Sequence, residues 1–164
     1  MNTQKLLSVP GFIILLILFS TSCKREPKNE EVVRNYGTGQ ISKRYNLIDG
    51  KKEGLMVDYY PDGSLKAERL FRNDTQVDKT TLYYNTGEIK EVQYYKDGKV
   101  QGGDTVFYED GKPQFLIDYD KGFKHGYVRK WGPDGTLTYE AKYNHDTLIE
   151  VKGQTLLPDT LKKN

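Results

Sequence analysis

Residues 102–126, GGDTVFYEDGKPQFLIDYDKGFKHG, decide the architecture, because their punctuation recurs through the chain at one fixed spacing. Glycine stands at Gly102, Gly111, Gly122 and Gly126, with Tyr108 three residues before Gly111 and Tyr119 three residues before Gly122. Moving outward in steps of 24 residues, one turn column reads Gly39, Gly63, Gly87, Gly111 and Gly135, and a second reads Gly50, Asp74, Gly98, Gly122 and Asp146. Aromatic or large apolar residues keep pace: Tyr36, Tyr60, Tyr84 and Tyr108 precede the first column, and Leu47, Phe71, Tyr95, Tyr119 and Tyr143 precede the second. Gly132 alone breaks the rule, and Trp131 beside it supplies the ring. A third column, Gly54, Asp78, Gly102 and Gly126, has the same period. Self-similarity at a fixed period means stacked supersecondary units, not a globular core built around a catalytic cleft.

Each unit reads as two β-strands and two turns. In Tyr60-Pro61-Asp62-Gly63-Ser64-Leu65, Asp-Gly sits where a two-residue hairpin loop needs positive φ, and Tyr95-Lys96-Asp97-Gly98-Lys99 does the same on the opposite edge. This loop length places Tyr60 opposite Leu65, Tyr84 opposite Ile89 and Tyr36 opposite Ile41. Neighbouring rings such as Tyr59 and Tyr60 then point to opposite faces, so both faces carry aromatic ladders whose stacking holds a thin sheet together. Gly54, Gly102 and Gly126 fall in or beside strands, where glycine marks a bend or a close backbone approach. The expected fold is all-β: an elongated antiparallel meander of tandem β-hairpin repeats, ten strands in all, single-layered and curved.

The remainder of the chain frames the array. In residues 1–22 Lys5 is the only charge, Leu6 to Phe19 are mostly apolar, and Ser20-Thr21-Ser22 are small, which reads as a signal peptide too short to span a bilayer. Cys23 follows, the single cysteine of the 164 residues, so no intramolecular disulfide can form. Its setting resembles the lipobox of bacterial lipoproteins, although Ser20 stands where an aliphatic residue is usual. The resemblance makes Cys23 the lipid-attachment residue and places the protein in the cell envelope, at the outer membrane. Residues 23–32 then read as the acylated cysteine and a charged, flexible tether. Five repeats occupy 33–152, and 153–164 read as a degenerate capping tail in which Leu157-Pro158-Asp159-Thr160 echoes Gly132-Pro133-Asp134-Gly135. Removing residues 1–22 leaves 24 Lys and Arg against 23 Asp and Glu with the signs interspersed, which gives no footprint for nucleic acid.

The unit G-x4-Y-Y-x-x-G-x7-Y-x-x-G-x3-G, with Phe107 in the first ring position, resembles the variant form of the MORN repeat. It is similar in particular to the bacterial YwqK-type antitoxin family. The resemblance runs from about Tyr36 to Glu150, departing at Gly132 and Asp78. It implies an elongated sheet of tandem hairpins that binds other molecules, with family usage spanning membrane association, scaffolding and neutralisation of a partner toxin. It implies no catalytic residues.

Residue by residue, chemistry is sparse. His125 and His145 lie near turns on one edge, and the nearby Asp120 and Asp146 are explained as turn formers, so no metal site is expected. Asp62, Asp110 and Asp134 recur immediately before glycine, where hairpin turns favour aspartate for backbone reasons. There is no phosphate loop, no G-x-S-x-G elbow, and no nucleophile with a histidine at a recognisable spacing, so neither catalysis nor a cofactor is expected. The aromatic side chains remain. Thirteen tyrosines and Trp131 cannot all be buried in a sheet one layer deep, and exposed Tyr and Trp favour protein interfaces. Trp131, beside the ringless Gly132, and Tyr127 on the same strand face are the candidate binding residues for a protein partner, with room expected around the loop from Gly132 to Gly135. The reading that follows is a non-enzymatic, lipid-anchored protein that binds a protein partner, in the antitoxin-like version a toxin. Binding of membrane lipid or cell-wall glycan by the exposed rings is the alternative.

Overall fold

Tandem hairpins need strands that start at the same phase of every repeat, and they do. The computed structural model describes residues 25–151 and 154–155; Cys23, the segment 1–22 and Leu157 to Thr160 of the tail lie outside the described residues. The strands are β1 (Asn29–Asn35), β2 (Ile41–Ile48), β3 (Lys51–Tyr59), β4 (Leu65–Arg72), β5 (Thr75–Tyr83), β6 (Ile89–Lys96), β7 (Lys99–Val100), β8 (Gly102–Phe107), β9 (Pro113–Asp120), β10 (Phe123–Trp131), β11 (Leu137–Asn144), β12 (Thr147–Val151) and β13 (Gln154–Thr155). β2, β4, β6, β9 and β11 begin 24 residues apart, and so do β3, β5, β7, β10 and β12. All lie in one sheet, β1-β2-β3-β4-β5-β6-β8-β9-β10-β11-β12-β13, with β7 paired to β6 and every pairing antiparallel.

The all-β hairpin meander is therefore observed, with thirteen strand segments in place of ten. Three differences account for the change. A single residue, Gln101, interrupts one strand into β7 and β8, its amide donating to the Tyr94 carbonyl at 2.8 Å. β13 adds a short pairing beyond β12. β1 begins at Asn29, inside the stretch read as a tether, because main-chain pairing with β2 requires no apolar side chain. Lys28 is fixed as well: its amide donates to Asp49 Oδ1 at 3.0 Å.

No second layer covers the sheet among the described residues. The buried apolar residues are Met56, Ala67 and Ala141, and the buried polar ones are Thr80, Thr81 and Asp104. Strand alternation puts Met56, Thr80, Asp104 and Val128, one from each repeat, in a single column on one face. That face also carries Phe71, Tyr95, Tyr119 and Tyr143, while Tyr59, Tyr83, Phe107 and Trp131 lie on the other. The third glycine column produces bulges. Gly54, Asp78, Gly102 and Gly126 all have positive φ within or beside their strands, and the register slips around Gly54, Asp78 and Gly126.

The two edges use different turns, and one of them corrects the expected register. At Asp49-Gly50, Asn73-Asp74, Asp97-Gly98, Lys121-Gly122 and His145-Asp146 both residues have positive φ, giving two-residue loops matched to strand twist. On the other edge only the glycine does, and the Tyr60 amide donates to the Ser64 carbonyl at 2.9 Å. That loop is three residues long, Pro61-Asp62-Gly63, so Tyr59 and not Tyr60 faces Leu65, Tyr83 and not Tyr84 faces Ile89, and Asn35 and not Tyr36 faces Ile41. Pro61 fits the first central position of a type I turn, and the glycine then takes the left-handed position that closes a bulged hairpin.

The freed tyrosines have a different task. The hydroxyls of Tyr36, Tyr60, Tyr84 and Tyr108 donate to the carbonyls of Tyr59, Tyr83, Phe107 and Trp131 at 2.6, 2.8, 2.7 and 2.9 Å. The opposite edge has its own ladder, in which Asp49, Asp74, Gly98, Gly122 and Asp146 donate backbone N–H to the carbonyls of Lys28, Lys52, Gln76, Val100 and Lys124. Ring stacking along the columns is not what joins the repeats. Rings one repeat apart are two strands apart, about 10 Å, and the ring contacts among the described residues are those of Phe123 and His125 with His145.

Candidate functional site

Tyr127 and Trp131 do share one face of β10, with Arg129 between them. Tyr127 is already engaged by the protein's own cations: the Arg129 guanidinium carbon lies 4.4 Å and Lys142 Nζ 5.6 Å from its ring centre. Its amide donates to Asp118 Oδ2 at 2.9 Å, a bond that needs Gly126, since a Cβ there would come within 2.8 Å of the same oxygen. Trp131 is half-buried and continues the column of Tyr59, Tyr83 and Phe107. The room expected beside it is occupied, because Asp134 Oδ1 lies 2.8 Å from where a Cβ on Gly132 would be. The loop keeps the standard geometry, with Gly132 N–H to Thr136 O and Gly135 N–H to Gly132 O both at 2.9 Å.

The acidic turn residues serve their own loops. Asp62 accepts from the Ser64 amide and hydroxyl, Asp110 from the Lys112 amide, and Asp134 from the Thr136 amide and hydroxyl. These hydrogen bonds hold the three carboxyls below the usual carboxylate range. His125 and His145 come together edge to face, 5.0 Å between ring centres. Among the described residues no third His, Cys, Asp or Glu joins them as a candidate ligand set.

One cluster is not evident from the repeat punctuation. On the face of the central repeats, Gln93 Nε2 donates to both Glu91 Oε1 at 2.6 Å and Asp104 Oδ2 at 3.0 Å, and the Tyr95 hydroxyl donates to Gln93 Oε1 at 3.0 Å. Asp104 is only 5% exposed, and its Oδ1 is buried without a hydrogen-bond partner. Burial first, then the charge of Asp104 and a hydrogen bond between the two carboxyls, raises Glu91; burial also raises Asp104, against the pull of its hydrogen bonds with Gln93 and Glu91. Tyr95 and Tyr119 are raised as well, by burial and then by Asp104. Neither carboxylate has a salt-bridge partner among the described residues, whereas Asp58 on the same face is paired with both Lys43 and Arg69. Lys90 eases Glu91 slightly, but its ammonium sits over the Tyr84 ring at 5.7 Å. The sequence signal was available in the columns: Asp104 stands where other repeats have Met56, Thr80 and Val128, and Glu91 where they have Lys43, Ala67, Phe115 and Tyr139.

An open sheet of tandem hairpins, with no second layer over its faces among the described residues, defines a repeat protein. Residues 52–73, spanning most of β3 and β4 and the three-residue loop between them, match the family described as the MORN repeat variant. No curated protein shows significant sequence similarity to the chain.

Proposed function

We propose that this is a non-enzymatic, lipid-anchored cell-envelope protein whose repeat sheet binds a protein partner. The observation that carries the reading is a sheet with almost no buried apolar interior that still displays large apolar residues: Val33, Ile48, Leu55, Ile89, Tyr94, Phe123 and Leu137 are all more than a third exposed. Partly exposed rings on both faces supply contact area at low entropic cost, which suits a protein interface. The MORN repeat variant at 52–73 supports a binding repeat. The antitoxin-like form of the reading makes the partner a toxin acting at the envelope, and it draws on the sequence resemblance. The anchor draws on Cys23 and the apolar segment before it.

Capture from native membranes tests the reading. One defined protein retained by the purified array supports it. Binding of liposomes or cell-wall glycan with no protein partner moves the function to the lipid or glycan class.

A further inference from the structure

The array places a lysine of its own on the ring column at its two outer units and omits it at the two central ones. Lys52 Nζ lies 5.3 Å from the Phe71 ring centre, and Lys124 Nζ lies 5.5 Å from that of Tyr143. The equivalent positions for Tyr95 and Tyr119 are Gln76 and Val100, one repeat apart in the same column as the lysines. Among the described residues no lysine or arginine covers Tyr95 or Tyr119. In these same two repeats lie Glu91 and Asp104, neither with an ion-pair partner among the described residues, and the buried orphan oxygen Asp104 Oδ1. Gly102, paired with Tyr119, is exposed, and a Cβ there would meet nothing within 4 Å. Space therefore opens beside the rings.

We propose that the face between Tyr95 and Tyr119 is a receptor for one lysine or arginine side chain of a protein partner, with Glu91 and Asp104 as its counter-ions. The aliphatic stem lies along the rings, the cation meets their faces, and its N–H groups supply the donor that Asp104 Oδ1 lacks. The outer repeats show the same recognition completed within the chain, by Lys52 and Lys124. This inference rests on the protein-binding reading above and specifies the chemistry of the partner's contact residue.

The test titrates the isotope-labelled chain, from Cys23 onward, with N-acetyl-argininamide and N-acetyl-lysinamide, using N-acetyl-norleucinamide as the uncharged control and following amide resonances of residues 102–105 and 117–119. Saturable shifts with the cationic amides alone, weakened about tenfold or more in the Glu91→Gln, Asp104→Asn double variant, support the site. Equal shifts with norleucinamide, shifts that survive the double variant, or no shifts would overturn it. Spermidine binding in preference to the amino-acid amides would assign the site to free polyamines and overturn the partner assignment. Circular dichroism confirms that the double variant is folded. In native-membrane capture, a partner held equally by wild type and double variant sinks this inference while leaving the protein-binding reading intact. Failure of the wild type to hold any defined protein sinks that reading instead, and the titration still decides the cation site.

Discussion

The Tyr60 hydroxyl donates to the carbonyl of Tyr83, 2.8 Å away and 23 residues along the chain, and this bond links one repeat to the next at a sheet edge. The equivalent bonds from Tyr36, Tyr84 and Tyr108 make the interaction a property of the repeat. At the fifth position Gly132 has no hydroxyl to give, and the ladder stops.

Tyr84→Phe keeps the ring and removes one rung. The expected cost is about 0.5 to 1.5 kcal/mol, the net value of a hydrogen bond, with a similar figure for Tyr60→Phe. Denaturant unfolding of both variants measures it. A change within error for both would mean that these hydroxyls bond equally well to water.

Asp104→Asn should stabilise the protein at neutral pH. Burial raises the Asp104 and Glu91 carboxyls in the folded state. Their contribution is thus full below the unfolded carboxylate range, near about pH 4, and is lost as pH rises through the raised values. Removing the Asp104 charge relieves that loss, by about 1 to 3 kcal/mol at pH 7, and the gain should shrink as the pH falls toward 4. Thermal melts across this range check the sign. A variant less stable than wild type at pH 7 contradicts it.

Because equivalent strands begin 24 residues apart, deleting one whole unit should leave a shorter folded array. Deleting twelve residues sets a two-residue turn where a three-residue loop belongs and inverts which side chains share a face. Equal loss of the β signal in both deletions, read by circular dichroism, would refute the repeat logic.

Trp131→Ala separates a packing role from a binding role. Trp131 is half-buried on a sheet without a second layer, so the truncation should cost well below the roughly 3 to 5 kcal/mol typical of a core aromatic, while partner affinity falls sharply. Tyr127→Ala should have the smaller effect on binding, since Arg129 and Lys142 already occupy its ring. A strongly destabilised Trp131→Ala whose folded fraction binds normally removes it from the interface.

Cys23→Ala should move the protein from the membrane fraction to the soluble fraction or leave the leader uncleaved. Metabolic labelling with a fatty-acid analogue provides the readout, and labelling that persists in the variant would sink the anchor.

The period, the all-β class and the two-residue turns at Asp97-Gly98 and its equivalents were legible because glycine and aspartate at positive φ leave a direct mark on sequence. The register at the other edge was not. Asp62-Gly63 looks like a two-residue loop, and only the bond from the Tyr60 amide to Ser64 shows that Pro61 belongs to the loop as well. A one-residue slip of this kind reassigned Tyr36, Tyr60 and Tyr84 from cross-strand packing to carbonyl bonding. The Glu91 and Asp104 cluster escaped for another reason. The periodic residues define the frame, and these two matter because they depart from their columns.

The column Met56, Thr80, Asp104 and Val128 places four unlike side chains on the same backbone. What specifies the fold sits at the rims, in loop glycines, turn aspartates and tyrosine hydroxyls, and asks little of the strand centres. The inner positions are thus free to be rewritten one unit at a time, as on a display board with a rigid border. Side chains on the sheet faces can drift, or be engineered, without reopening the question of how the chain folds.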